Sequence, residues 1–428
     1  MDALPKSVDL VVAVARMPPR VGYALNTALG DFSGLQLKIV PAEDAHSIAS
    51  ARNAGVPVFG YAPRPIPEAI CLPCNGLLYE EAIRPANEEI DWLGSLPSQL
   101  RAPDYLAQIF YHLTQYALLR PAARREMDGH GRHLDGSGEL VVHRLLDGLR
   151  GQVFPHLPRR PLPPRFEYEI TIDVDHPWKY KYKPILVQLG GMLKALLRGG
   201  DFRERWDTLL GAPDPFDVLP VVRSMCPADK TRVFFLVGGS HANDSRFDLG
   251  MKPYRQLVKI WQQAGYELGV HPSYESCLDP GKTRAEKESL EAVVGPVEIS
   301  RQHYLRYRLP DTFQALASLG IRREYSLCLS SKPGAATGVA LPYRWFDLVR
   351  NRETGMTMVP AMVMDRALQQ GMGCNPDAAG EVIAEWIGKV RSVSGRFVLI
   401  LHNETFSESG EWKGWTKVIR QSVELLQR

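Results

Sequence analysis

From Phe166 onward, short runs rich in β-branched and aromatic residues alternate with longer stretches carrying apolar residues at helical spacing. Nothing else in the chain restricts its fold as much, because strand and helix in repeated alternation require parallel strands covered by helices. The pattern predicts strands at Phe166–Ile172, Arg232–Val237, Tyr266–Val270, Val297–Ser300, Glu324–Leu329, Met358–Val363 and Phe397–Leu401. Helices are predicted at Ile185–Leu197, Lys252–Ala264, Ala285–Val294, Asp311–Leu319 and Ala378–Val393. Seven strands in one stretch of this length favour a barrel over an open sheet. The expected fold is therefore α/β, with a distorted (β/α)7 barrel over residues 166–428.

The residues before it predict a smaller α/β domain over 1–153. Apolar runs at Leu10–Ala15, Leu35–Val40 and Val56–Phe59 are separated by turn-rich stretches, and Tyr105–Leu119 has the period of a buried helix. The segment MDGHGRHLDGSGEL is loop-like because four glycines punctuate it. Between the domains, FPHLPRRPLPPR (154–165) reads as a stiff linker, since proline denies it helix or sheet pairing.

Several function classes are disfavoured. A net charge of +3 over 428 residues gives no reason to expect nucleic acid. No apolar run reaches the roughly 18 residues that span a bilayer, and the start lacks the pattern of a secretory signal, so a cytoplasmic address is expected. Six scattered cysteines make no disulfide framework. Cys71 and Cys74 form a CxxC pair, but no second ligand pair accompanies it and Pro73 with Asn75-Gly76 suggests a turn, so the pair reads as structural.

Chemistry concentrates where the predicted strands end. Of 11 histidines, five (His176, His241, His271, His303, His402) lie within four residues of such an end, and Asp173 and Asp175 stand beside the first. In barrels of this type the reactive residues come from the carboxyl ends of the strands. Imidazoles with one carboxylate make a divalent-metal site that leaves a position for water. A second carboxylate can take a proton and a further histidine can return it. Asp173, Asp175, His271, His303 and His402 fill these roles together. No GxSxG elbow supports serine catalysis. His46, His112, His130, His133, His143 and His156 are read as core or surface residues.

The runs TIDVDHP, GYELGVHPSY, SRQHYLR and LILHNETF, with FYHLTQYALLRPAARREMDGHGRHLDGSG upstream, resemble divergent polysaccharide deacetylases of the nodulation type (carbohydrate esterase family four). The upstream segment resembles the N-terminal domain often fused to them in bacterial surface-polysaccharide clusters. The resemblance implies Asp173 as base, Arg301 as the residue orienting it, His402 as acid, and Asp175 and His271 as metal ligands. Three departures stand out: one valine separates the aspartates, Glu275 stands where a second histidine is usual, and His303 replaces a proline. His303 is the first choice for the third ligand, with His176, His241 and Glu275 as alternatives. Trp178, Tyr274, Tyr304, Glu404 and Trp415 are expected at the sugar.

The implied reaction is removal of an acetyl group from a sugar of a surface polysaccharide (O-antigen or lipopolysaccharide) or its precursor, with a divalent metal, zinc first, and a carbohydrate partner. Two other readings stay open. One is a sugar-binding protein that lost catalysis, favoured by the altered second motif. The other is a metal-dependent amide or ester hydrolase, or an acyltransferase, on the same scaffold.

Overall fold

The computed structural model of the chain describes residues 8–93, 102–123, 126–133, 136, 138–159, 161, 164–198 and 201–428. Residues 1–7 and parts of the glycine-rich loop (134, 135, 137) and of the expected linker (160, 162, 163) lie outside them. Among the described residues the strands form two sheets. The first is wholly parallel and contains β1 (Leu10–Val14), β2 (Leu37–Pro41), β3 (Val58–Tyr61) and β4 (Ile70–Leu72), in the order β2-β1-β3-β4. Strand β4 was not anticipated, because three residues are too few to show a period. It carries half-buried Cys71, while Cys74 beyond it is buried and its thiol is pushed up to about 12 by burial and by Asp104. The predicted helix at 105–119 is two helices, Tyr105–Leu113 and Tyr116–Leu119, broken at Gln115, whose φ is +50°.

The second sheet contains β5 (Glu167–Val174), β6 (Thr231–Phe235), β7 (Glu267–Val270), β8 (Ile299–Ser300), β9 (Arg323–Glu324), β10 (Tyr343–Asp347), β11 (Arg352–Met358), β12 (Val363–Met364) and β13 (Arg396–His402). Its order is β10-β11-β9-β8-β7-β6-β5-β13-β12, parallel throughout except for the β10–β11 hairpin. Helices Lys252–Gln263, Pro280–Val294 and Pro376–Ser392 cover it.

The expected barrel is distorted and is not seen to close. Among the described residues no ladder joins β12 to β9. Residues 359–362 cross the gap with single bonds: the Ala361 N–H donates to Leu327 O (2.9 Å) and the Met362 N–H to Val398 O (3.0 Å). The strands predicted at Glu324–Leu329 and Met358–Val363 meet at this seam. Pro360 has no N–H to give a ladder there.

Each strand sorts its side chains onto two faces. Ile170, Ile172 and Val174 of β5, with Leu399 and Leu401 of β13, join the large core under the covering helices. Phe234, Ile299, Tyr325, Val398 and Ile400 form a smaller cluster on the opposite face. The first sheet's helices pack on the β10–β11 hairpin. Tyr23 and Phe110 meet the Phe346 ring at 5.0 and 5.2 Å, and the Tyr23 hydroxyl donates to Arg344 O (2.8 Å).

Candidate metal centre

A strand's side-chain period of two turns residues i and i+2 to one face. Asp173 and Asp175 therefore reach the same side, with Val174 between them facing the large core. The same parity relates Ile299, Arg301 and His303 beyond β8. Strand β13 pairs with β5 so that His402 stands in register with Asp173. His271 follows the end of β7 directly.

These neighbouring strand ends bring Asp175, His271 and His303 together, with one ligand atom from each within 4.8 Å of the others. His271 Nε2 lies 3.3 Å from Asp175 Oδ1, and His303 Nε2 3.6 Å from Asp175 Oδ2. Each imidazole is held from behind. His271 Nδ1 donates to the Arg301 carbonyl (2.6 Å), which turns Nε2 toward the carboxylate. Asp175 Oδ1 is buried and has no hydrogen-bond partner. Two imidazole nitrogens converging with a carboxylate oxygen that has no hydrogen-bond partner make a buried donor set that fits a divalent metal.

His303 Nδ1 faces Asp244 Oδ1 at 3.2 Å. Asp244 also accepts the Tyr274 and His241 N–H groups, and Gly239 makes room for it. At Gly239, with φ +116°, a Cβ would stand 2.4 Å from the Asp244 carboxylate. Asp244 was missed because it sits inside a polar loop, seven residues past the predicted strand.

Two further pairs flank the triad. Fully buried Arg301 donates from Nη1 to Asp173 Oδ1 and from Nη2 to Thr171 Oγ1, both at 2.8 Å, with its guanidinium 4.7 Å from the Phe234 ring centre. His402 places Nε2 3.7 Å from Asp175 Oδ2, and its Nδ1 meets Asp365 Oδ1 at 2.7 Å. Asp365 also accepts the His402 backbone N–H (2.6 Å) and the Thr405 hydroxyl. The sequence carried a signal for Asp365, since it directly follows the apolar run Met362-Val363-Met364.

Burial drives the charge states in opposite directions and the partners decide the outcome. Burial pushes the Asp175 carboxyl up, but His303, His271 and His402 outweigh it and hold it well below the ordinary carboxylate range. Burial pulls His303 down, yet Asp175 and Asp244 raise it to about 9. A cation taking Nε2 must displace that proton. His402 is likewise lowered by burial and raised overall by Asp365.

Above the group lies a cavity of about 430 Å³ lined by Asp173, Asp175, His271, His303 and His402 together with His176, Tyr304, Arg366 and Gln370. Tyr304 reaches the wall on strained backbone: it and Leu305 have φ of +57° and +56°, a left-handed conformation that side chains disfavour. His130, read as a core or surface residue, and Arg132 of the same glycine-punctuated loop also line it. His130 Nδ1 meets the Tyr274 hydroxyl at 3.0 Å, and Arg132 Nη1 donates to Tyr304 O at 3.4 Å.

Of the residues expected at the sugar, only Tyr304 lines this cavity. Trp178 is buried against Tyr182 and Phe247 (4.5 and 5.2 Å). Trp415 is buried against Trp412 at 5.2 Å. Tyr274 stands behind Tyr304, between the His241 ring at 4.2 Å and the Arg306 guanidinium at 3.7 Å. Glu404 pairs with Arg366, which itself faces the cavity. Among the alternatives for a third ligand, Glu275 is paired with Lys282 at 2.7 Å and His241 is stacked on Tyr274, while His176 lines the cavity outside the triad.

Neither a family model nor a curated relative matches the sequence. Solved structures with some likeness include a provisionally named polysaccharide deacetylase from Mycobacterium smegmatis, 17% identical with a TM-score of 0.40, covering 62% of this chain and 84% of that one. Another is Agd3, described as a novel carbohydrate deacetylase, 10% identical with a TM-score of 0.33, covering 98% of this chain and 84% of that one. Likeness at this level carries no argument about this chain's chemistry, which rests on the site itself.

Proposed function

We propose that this chain is a metal-dependent hydrolase that removes an acetyl group from a sugar. The observation that carries the reading is the convergence of three parts on one cavity. These are the Asp175–His271–His303 group, the Arg301-held carboxylate of Asp173, and the Asp365-held imidazole of His402. A pure binding protein has no use for a base and an acid placed on either side of a cation site.

Asp175, His271 and His303 would hold the ion. A bound divalent cation polarises an acyl carbonyl and lowers the pKa of water to about 7. Asp173, fixed by Arg301, takes the proton from the attacking water. His402, whose pKa Asp365 raises against burial, gives a proton to the departing amine or alcohol. The Asp365 bond at Nδ1 leaves His402 Nε2 as the atom that carries that proton into the cavity. Tyr304 offers a ring face to the sugar, and Arg132, Arg366 and Gln370 offer donors to its hydroxyls. Zinc suits a site with two imidazoles and one carboxylate.

The test is acetate release from N- and O-acetylated sugars by zinc-loaded protein. Asp173→Asn and His402→Ala are expected to lower kcat by about 10²–10⁴ while metal content is unchanged. Turnover undiminished in both variants would remove the assigned base and acid.

A further inference from the structure

The helix Ile185–Arg198 is turned inside out relative to an ordinary surface helix. It faces the protein with Gln188, which is buried, and with half-buried Gly191, Met192 and Ala195. Gln188 donates to Tyr180 O and accepts from Arg205 Nη1 at 3.2 Å. Gly191 permits that approach, because a Cβ there would stand 2.6 Å from the Arg205 guanidinium. The other side presents Ile185, Leu186, Leu189, Leu193, Leu196 and Leu197, each between 55% and 78% exposed. Beside it, Trp206, Leu209 and Leu210 are also exposed. Eleven of the 18 exposed large apolar side chains among the described residues fall between Tyr182 and Leu210, so the surface is one patch and not scatter.

We propose that this patch is a monotopic docking surface for an anionic lipid bilayer. Two observations select the occupant. First, the patch is edged by basic residues: Lys181, Lys183, Lys194 and Arg246 stand around it, and none makes an ion pair among the described residues. Of the nearby acids, Asp201 and Glu204 are paired with Lys179 and Asp207 with Arg203, while Asp214 and Asp217 act on Lys183 and Lys181 without forming an ion pair and leave Lys194 and Arg246 as the free cations of the rim among the described residues. Leucines on one face with lysines at the rim suit a negatively charged interface. A second copy of the chain fits less well, since self-pairing across a two-fold axis sets the same basic rim against itself. Second, the helix has 14 residues, about 21 Å, too short to cross the roughly 30 Å apolar core, so it can only lie in the plane of the surface.

The patch continues into the site. Tyr182, Lys183 and Val187 at its edge line a second cavity of about 470 Å³ whose wall includes His176, which also lines the metal cavity. Docking through the leucines therefore places the opening beside His176 at the lipid headgroups.

The test is flotation of the full chain with phosphatidylcholine vesicles and with mixed phosphatidylcholine–phosphatidylglycerol vesicles, alongside light scattering for oligomeric state. Neither assay uses substrate, so the outcome is separate from that of the hydrolytic reading. The wild-type chain is expected to float with the anionic vesicles, less at roughly 0.5 M salt, with a blue shift of tryptophan emission as Trp206 enters the interface. The triple variant Leu189→Glu/Leu193→Glu/Leu196→Glu is expected to lose at least about tenfold in binding while its circular dichroism and melting temperature are retained, because these side chains face solvent. Two results would overturn the proposal: no binding to either vesicle by the wild type, or a wild-type dimer that the triple variant converts to a monomer without any vesicle affinity.

Discussion

Asp365 shows how one carboxylate sets the working state of the candidate acid. It lies below its ordinary range because His402 outweighs the effect of burial, and it raises His402 in turn. An acid must be protonated to act, so activity should fall as pH rises through the raised pKa of His402. Asp365→Asn removes the raising charge and is expected to move the alkaline limb of the kcat profile to lower pH, with a loss of kcat at neutral pH; an unmoved limb contradicts the assignment. At this scale the sequence was informative where chemistry coincides with strand ends: Asp173, Asp175, His271, His303 and His402 could all be read from position alone. The partners behind them were harder to read. Arg301 came from the family resemblance, Asp365 carried a strand-end signal that went unused, and Asp244 emerges only once the chain is folded, because a residue that holds an imidazole need only be near in space. The large aromatics misled for a related reason: Trp178 follows the end of β5 closely and Trp415 opens the helix after β13, but burial in the core offers a tryptophan more than a place at a rim.

Among the elements, the loop 126–133 has an effect on the site that composition concealed. Its glycines read only as a loop, yet an Arg132–Asp128 ion pair (2.6 Å) and the donation of Arg306 Nε to His130 O (2.7 Å) fix it over the cavity. Arg132→Ala is expected to raise KM for the sugar by about 3- to 30-fold with kcat within about twofold, since the residue touches the wall but none of the proton-transferring groups. A fall in kcat with KM unchanged would instead place it in the chemistry. Strand assignment worked best for long runs with clear parity, such as β5 and β13. It failed at β9 and β12, where two-residue ladders leave no periodic signal and Pro360 interrupts the run. The β10–β11 hairpin went unread because its exposed strand β11 (RETGMTM) is largely polar.

Across the whole molecule, the apolar core is continuous from the first sheet into the second. Phe346, 1% exposed, is the ring on which Tyr23 and Phe110 converge. Phe346→Ala is expected to cost about 3–5 kcal/mol and to lower a single melting transition that far-UV and near-UV circular dichroism report at one temperature. Two separated transitions would mean that the sheets unfold independently. The two-part division at the proline-rich stretch, read from the sequence, rests on local stiffness, whereas this contact joins residues more than 200 positions apart that no local pattern relates.

The most direct measurement is zinc stoichiometry after loading and exhaustive dialysis, in the wild type and in His271→Ala, His303→Ala and Glu275→Ala. About one ion per chain is predicted for the wild type and for Glu275→Ala, whose carboxylate is committed to Lys282, with both histidine variants falling below about a tenth of that. A wild type that binds no divalent ion, or histidine variants that keep it, would contradict the metal centre and the hydrolysis built on it.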